Sequence, residues 1–154
     1  MRTVAARTAT LIAAVGLSLP IAAAAAGKPF AGPAGWDHVV AMTASAQSPR
    51  TQESWKKSDG ELITFMSDDT LSYDDSIAMI HKNVADNGFK PSVDKDRTCD
   101  GRRAHEVEMT FGTTVVHQIV IDDAPGLTKL TYTHPQGVGP SPDATSTIAA
   151  YCGS

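Results

Sequence analysis

Alternating apolar and polar residues dominate the second half of the chain. Residues 104–111 read AHEVEMTF, which places Val107 and its alternate neighbours on one face of a strand and the acidic residues on the other. Residues 114–121 and 127–134 are rich in β-branched residues, and a weaker segment covers residues 90–98. The pattern predicts four consecutive strands.

The turn between the first two of these strands determines which side chains share a face. Ile119 and Ile121 lie on the face of Val107 if that turn has three residues. Because this register gathers the apolar side chains on one side, we expect a three-residue connection at 112–114 rather than a two-residue turn.

Strand signals also occur earlier in the chain. The Asp59-Gly60 pair predicts a tight turn, with Trp55 before it and LITF at 62–65 after it, so we expect a hairpin. Residues 35–42, GWDHVVAM, fit either a first strand or a short helix.

Two segments have the signals of helices. Between Ser72, which can cap a helix, and Gly88, which can end one, apolar residues recur at spacings of three and four: Ile77, Ile80 and Val84. A last helix is predicted after Ser141, with proline at its first position and with Ile148 and Cys152 on its core side.

The predicted order along the chain is therefore β-β-β-α-β-β-β-β-α. Consecutive strands joined by short turns form antiparallel sheets, and helices with one apolar face pack on such sheets. The predicted fold class is α+β, an antiparallel β-sheet with helices packed on it.

The N-terminus has the features of a secretory signal peptide. Residues 1–7 carry two arginines and no acidic residue, and an apolar, alanine-rich run follows that ends in small residues. We predict a signal peptide at residues 1–26, a single α+β domain at residues 27–154, and a periplasmic or extracellular location. The alternative is an uncleaved membrane anchor.

The negative net charge limits the classes of partner that we expect. Loss of Arg2 and Arg7 with the signal peptide changes the formal net charge from −4 to −6. An acidic protein is a poor match for nucleic acid or for an anionic membrane surface. We therefore expect neither as a partner, and no membrane contact after signal cleavage.

The sequence has two cysteines, Cys99 and Cys152, and both lie in the predicted exported part. An even pair in an oxidising compartment predicts a disulfide. A redox-active pair is the alternative, but the two residues lack the C-x-x-C spacing that such pairs use.

Motifs for other chemistry are weak. His105 and His117 lie on neighbouring predicted strands and, in the expected register, share a face of the sheet, so they are the weak candidates for metal ligands. Ordinary strand histidines are the simpler interpretation. We predict no metal site and no cofactor. The chain has no G-x-S-x-G motif, so no catalytic residue is predicted; an acid/base site near Asp68, Asp69 or His81, in a small hydrolase or other enzyme, is the alternative.

The stretches TCDGRRAHEVEMTF, HQIVIDDAPGLTKLTYTHPQG and PDATSTIAAYC resemble small exported bacterial proteins of PsbP-like α+β fold. The resemblance covers about the last third of the chain, and more loosely GELITFM and SYDDSIAMI. It implies an antiparallel sheet sandwiched by helices and a Cys99–Cys152 bridge. The better-known proteins of this fold bind partner proteins or assist complexes, and none of their catalytic residues maps onto this chain.

These features favour an exported, non-enzymatic binding or accessory protein that is stabilised by one disulfide. Its expected partner is another exported protein or a small molecule. Trp36, Trp55 and the loop at 135–142 are the candidate recognition features, unless both tryptophans belong to the core. A metal-binding protein that uses strand histidines is the remaining alternative.

Overall fold

The computed structural model describes residues 28–153. The predicted signal peptide lies outside them, so the signal peptide and the domain boundaries stay predictions. Within the described residues, seven strands and two helices follow one another: β1 (Asp37–Met42), β2 (Arg50–Lys56), β3 (Leu62–Asp68), α1 (Tyr73–Asp86), β4 (Val93–Cys99), β5 (Arg102–Phe111), β6 (Thr114–Asp123), β7 (Gly126–Pro135) and α2 (Pro142–Cys152).

The strands form one antiparallel sheet in the order β1-β2-β3-β7-β6-β5-β4. The order across the sheet differs from the order along the chain because β7 lies between β3 and β6. Residues 37–42 are the edge strand β1, which decides between the strand and the short helix that the sequence allowed. The mixed α+β class is confirmed.

Helix α1 begins and ends at the predicted residues. The Ser72 hydroxyl accepts a hydrogen bond from the backbone N–H of Asp75 at 3.3 Å, so it caps the first turn. At the other end Gly88 has a φ of +66°, and the N–H of Phe89 donates to the carbonyl of Val84 at 3.0 Å. This left-handed glycine turns the chain away from the helix towards β4.

Helix α2 covers one face of the sheet, which we call the α2 face and which carries Ile63, Ile119 and Leu130 at 1% exposure or less. The aromatic residues on this face surround Phe30, which lies in the segment before β1. The ring of Phe30 stacks on Phe65 at 5.4 Å and contacts Tyr151 of α2 edge-on at 5.5 Å between centroids. The α2 face is thus closed by a continuous apolar core.

A disulfide fixes α2 to the sheet. Cys99, the last residue of β4, bonds to Cys152, the last residue of α2, with an S–S distance of 2.03 Å. The N–H of Asp100 also donates to the carbonyl of Cys152 at 2.7 Å. The predicted pairing is confirmed, and it indicates an oxidising compartment.

Helix α1 lies on the opposite face, which we call the α1 face. Tyr73 at the start of α1 packs on Val120 and Leu127, and four partly buried residues surround this cluster: Met66, Leu71, Ile77 and Ile80. Strand β6 therefore has apolar residues on both faces, with Ile119 towards α2 and Val120 towards α1.

The predicted three-residue turn between β5 and β6 is wrong. Phe111 lies directly opposite Thr114, so the turn has only two residues, and its Gly112 has a φ of +58°. In this register Val107 faces α1, while Ile119 faces α2. The prediction assumed a single apolar face for β6, but β6 buries Ile119 and Ile121 on one side and Val120 on the other.

Candidate functional site

The C-terminal half of α1 does not close onto the sheet, and a groove of about 480 Å³ lies between them. Val107 is 1% exposed at its wall, whereas Phe111 is 40% exposed at its rim. The rings of Phe89 and Phe111 meet edge-on at 4.5 Å. The groove is lined by Ile80, Asn83, Val84, Asn87, Phe89, Val107, Met109, Phe111, Val116 and Gln118.

The polar groups of this groove are neutral amides, since its lining residues include no ionisable side chain. Gln118 donates from Nε2 to the hydroxyl of Thr131 at 3.2 Å, and Asn87 donates from Nδ2 to the carbonyl of Asn83 at 2.8 Å. An apolar wall with a few fixed hydrogen-bonding groups is the usual composition of a small-molecule site, and the volume is in the usual range.

A histidine cluster lies beside the groove on the same face. Asp94 of β4 places its Oδ1 atom 2.9 Å from Nε2 of His105 on β5 and 3.3 Å from Nε2 of His81 on α1. The other ring nitrogen of His105, Nδ1, lies 2.9 Å from Oδ1 of Asp96. His105 is 4% exposed, so the two carboxylates supply the partners that a buried imidazole needs.

His81 lines a second cavity of about 430 Å³, whose lining also includes Asp96 and Arg103. The guanidinium of Arg103 pairs with Asp74 at 3.0 Å and with Asp122 at 2.8 Å, and it lies over the ring of Tyr73. Its charge is therefore already matched by two carboxylates.

The pKa of Tyr73 is changed by burial and by these nearby charges. Burial raises the pKa of its hydroxyl, and the carboxylates of Asp96, Asp122 and Asp74 add to that rise, while Arg103 opposes it. The Tyr73 side chain therefore stays neutral and serves as an apolar support for the start of α1.

His105 and His117, the weak candidates for metal ligands, lie on opposite faces of the sheet. Glu108 lies opposite His117, and Val120 lies opposite His105, so His117 points to the α2 face and His105 to the α1 face. The two residues cannot share a metal ion. A shared face would require the three-residue turn, whereas the turn between β5 and β6 has two residues.

His117 instead binds a carboxylate on the α2 face. Its Nε2 atom lies 2.7 Å from Oε1 of Glu106, and Arg97 donates to Glu106 at 3.1 Å. Burial tends to raise the pKa of Glu106, but His117, Arg97 and Lys95 outweigh it and leave the pKa below its usual value. This carboxylate is a structural ion-pair partner.

The three residues of the alternative acid/base site, Asp68, Asp69 and His81, have different surroundings. Asp68 accepts hydrogen bonds from the N–H and hydroxyl of Thr70 at 2.9 and 2.6 Å and from Arg50 at 3.1 Å. Burial tends to raise the pKa of Asp68, but these hydrogen bonds and Arg50 lower it overall. Asp69 is exposed, and His81 pairs with Asp94, so the described contacts do not bring the three residues together.

Both candidate recognition tryptophans lie in the core. Trp36 and Trp55 are each 8% exposed, which matches the core alternative. The ring of Trp55 lies so close to Gly32 that a Cβ atom there would be 2.3 Å from it. In the loop at 135–142, Val138 is 55% exposed, but the N–H of Ser141 is buried and donates to the Tyr132 hydroxyl at 3.0 Å.

Sequence reasoning missed the groove and the cluster because their residues come from separate elements. Signals for them were present, however. His81 follows Ile80 and lies four residues after Ile77, so it borders the apolar stripe of α1. Asp94 and Asp96 alternate on β4, which places both carboxylates on one face.

The chain matches no protein-family model, no curated protein and no solved structure. Within residues 28–153, no helix is both long and apolar enough to span a membrane.

Proposed function

We propose that the protein is an exported, non-enzymatic binding protein that holds a small, largely apolar molecule in the groove under α1. The groove itself is the observation that carries this proposal: about 480 Å³ of space between α1 and the sheet, with apolar walls and amide side chains. The absence of ionisable groups from its lining favours a ligand with a neutral hydrogen-bonding group over a charged one.

Export is part of the same proposal. The Cys99–Cys152 disulfide supports a location outside the cytoplasm, where such bonds persist. A PsbP-like fold also remains a proposal, which the antiparallel sheet with a helix on each face supports. Fold resemblance alone assigns no ligand, so the ligand class rests on the groove.

Binding of N-phenyl-1-naphthylamine, a neutral apolar dye that fluoresces in apolar sites, tests the proposal. We expect the purified protein to bind it, and Met109→Glu to weaken binding at least about tenfold because a carboxylate would enter the apolar wall.

The matched control is Met79→Glu. Met79 is on α1 but is 61% exposed and does not line the groove, so the same substitution should leave dye binding unchanged. A wild-type protein that binds no dye, or equal binding by the two variants, would contradict the proposal. Circular dichroism checks that both variants fold.

A further inference from the structure

The geometry points to a site for one divalent transition-metal ion, of the zinc type, formed by His81, Asp94 and His105. One ligand atom from each of the three residues lies within 4.8 Å of the other two. This site is independent of the groove ligand, since none of its three residues lines the groove.

The ligand atoms are spaced as a metal ion requires. In a tetrahedral zinc site with bonds of about 2.0–2.1 Å, neighbouring ligand atoms are roughly 3.3 Å apart. Oδ1 of Asp94 lies 3.3 Å from Nε2 of His81 and 2.9 Å from Nε2 of His105. The side chain of His81 is half exposed on a helix surface, so small rotations of its ring can adjust the third distance.

Asp96 gives His105 the orientation of a metal-binding histidine. Histidine ligands usually donate their second ring N–H to a carboxylate or carbonyl, which directs the lone pair of the other nitrogen to the metal. Nδ1 of His105 lies 2.9 Å from Oδ1 of Asp96, so a proton on Nδ1 leaves Nε2 free to coordinate beside Asp94.

The backbone holds three of these four residues in fixed register. Asp96 lies directly opposite His105 on the β4–β5 ladder, and Asp94 is two residues along on the same face. Only His81 comes from the helix. Sites on regular strands are held more precisely than sites on loops, so little ordering is needed when the ion binds.

Charge and access also suit a divalent cation. The carboxylates of Asp94 and Asp96 together match a charge of two, and the nearby Arg103 is already paired with Asp74 and Asp122. Three protein ligands leave a fourth position for water or another ligand. His81 and Asp96 both line the cavity of about 430 Å³, so the edge of the cluster borders an open space.

The donor set selects the class of metal. Two imidazole nitrogens and one carboxylate oxygen suit zinc and its first-row neighbours, whereas calcium and magnesium prefer all-oxygen sites. We therefore take Zn²⁺ as the probe, and Co²⁺ as a spectroscopic reporter for the same position.

Calorimetric titration of chelator-treated protein with Zn²⁺ tests the site. We expect one ion per chain, and His81→Gln to weaken binding at least about tenfold because it removes one of three ligands. The matched control is His38→Gln: His38 also pairs with a carboxylate, Glu53, at 3.5 Å, and its side chain is similarly exposed at 44%. We expect this control to bind Zn²⁺ like the wild type.

Asp96→Asn separates an orienting role from direct ligation. It should weaken Zn²⁺ binding about tenfold while one ion still binds, because Nε2 of His105 loses its orientation but no ligand is removed. Bound Co²⁺ should give the intense visible absorption of a tetrahedral site in the wild type and a weaker one in His81→Gln.

Two results would overturn the site: no stoichiometric Zn²⁺ binding by the wild type, or the same affinity for His81→Gln and His38→Gln. In either case the cluster would be a set of hydrogen-bonded ion pairs only. Dye binding in the groove does not depend on this outcome, so failure of the metal site is distinguishable from failure of the proposed function.

Discussion

Helices α1 and α2 both lie on the sheet, but they are attached to it differently. Helix α2 is bonded through Cys152 to Cys99 and covers an aromatic core around Phe30. Helix α1 rests on a smaller cluster around Tyr73, with a cavity of about 430 Å³ beside its N-terminal half and the groove of about 480 Å³ beside its C-terminal half. The cavity beside α2 is smaller, about 250 Å³, and is lined only by α2 and residues 28–31, whereas the groove on the α1 face reaches the sheet.

This difference shows how a small domain can be stable and still keep space for a ligand. An open cavity lacks the packing contacts that a filled core provides, so stability must come from elsewhere in the fold. Here the α2 face supplies a covalent link and most of the fully buried side chains. The groove and the histidine cluster lie on the other face, where fewer side chains are buried.

The largest expected effect comes from the covalent link. The disulfide joins residues 53 positions apart, and closure of a loop of that size is worth about 4 kcal/mol in the chain-entropy description. We expect the double variant Cys99→Ala/Cys152→Ala to lose about that much free energy of unfolding, measured by urea titration.

The same variant tests whether the two faces are separable. Its folded fraction should still bind N-phenyl-1-naphthylamine with wild-type affinity, because the groove contains neither cysteine. A loss of less than about 1 kcal/mol would show that α2 is held by its apolar contacts alone. Loss of dye binding in the folded fraction would show that the α1 face depends on the bridge.

The elements of the fold followed from local patterns. The Ser72 cap, the apolar spacing of α1 and the glycine that ends it are all signals within one segment, and the structure bears them out. The disulfide followed from the number of cysteines and the predicted export. Such signals need no knowledge of how distant segments meet.

Which face of β6 lies beside the apolar face of β5 could not be predicted, because both sides of β6 are apolar. Val107 and Ile119 are equally buried although they pack under different helices. Periodicity alone does not show which apolar residues of two strands share a side of the sheet. Because the predicted turn had one residue too many, the prediction placed His117 on the wrong face. The position of His81 above Asp94 depends on how α1 crosses the sheet, which the sequence does not specify.

A pair of identical substitutions sharpens the comparison of the two faces. Ile63→Ala should lower the free energy of unfolding by about 3 kcal/mol, because Ile63 is fully buried on the α2 face and the change leaves a cavity. Ile80→Ala should lower the free energy of unfolding by only about 1 kcal/mol, because Ile80 is half-buried in the wall of an existing groove. Alanine also has a higher helix propensity than isoleucine, which offsets part of the loss.

Urea unfolding of both variants measures these costs. Equal losses would mean that the α1 face is packed as tightly as the α2 face, and the distinction between them would be wrong. The control is dye binding, which should change in Ile80→Ala and not in Ile63→Ala, since only Ile80 lines the groove.

The smallest of the three expected effects concerns a buried hydroxyl on the α2 face. Tyr132 donates to the carboxylate of Glu61 and accepts from the N–H of Ser141. Tyr132→Phe removes this hydroxyl and leaves the Glu61 carboxylate and the Ser141 N–H without this hydrogen-bond partner in a buried site. We therefore expect the free energy of unfolding to fall by about 2 kcal/mol at neutral pH. Tyr73→Phe on the α1 face should cost about 1 kcal/mol or less, because its ring makes the contacts with Val120 and Leu127.

The pH dependence identifies the hydroxyl as the cause. Burial, aided by the hydrogen bond to Glu61 and opposed by Ser141, raises the pKa of Tyr132 from 10.0 to about 12. Because the folded state holds this proton more tightly than the unfolded state, its stabilising effect is complete below pH 10 and is lost as the pH rises through 12. The difference in unfolding free energy between wild type and Tyr132→Phe should therefore narrow over that interval. A difference that stays constant with pH would show that the variant is destabilised through packing and not through the lost hydroxyl.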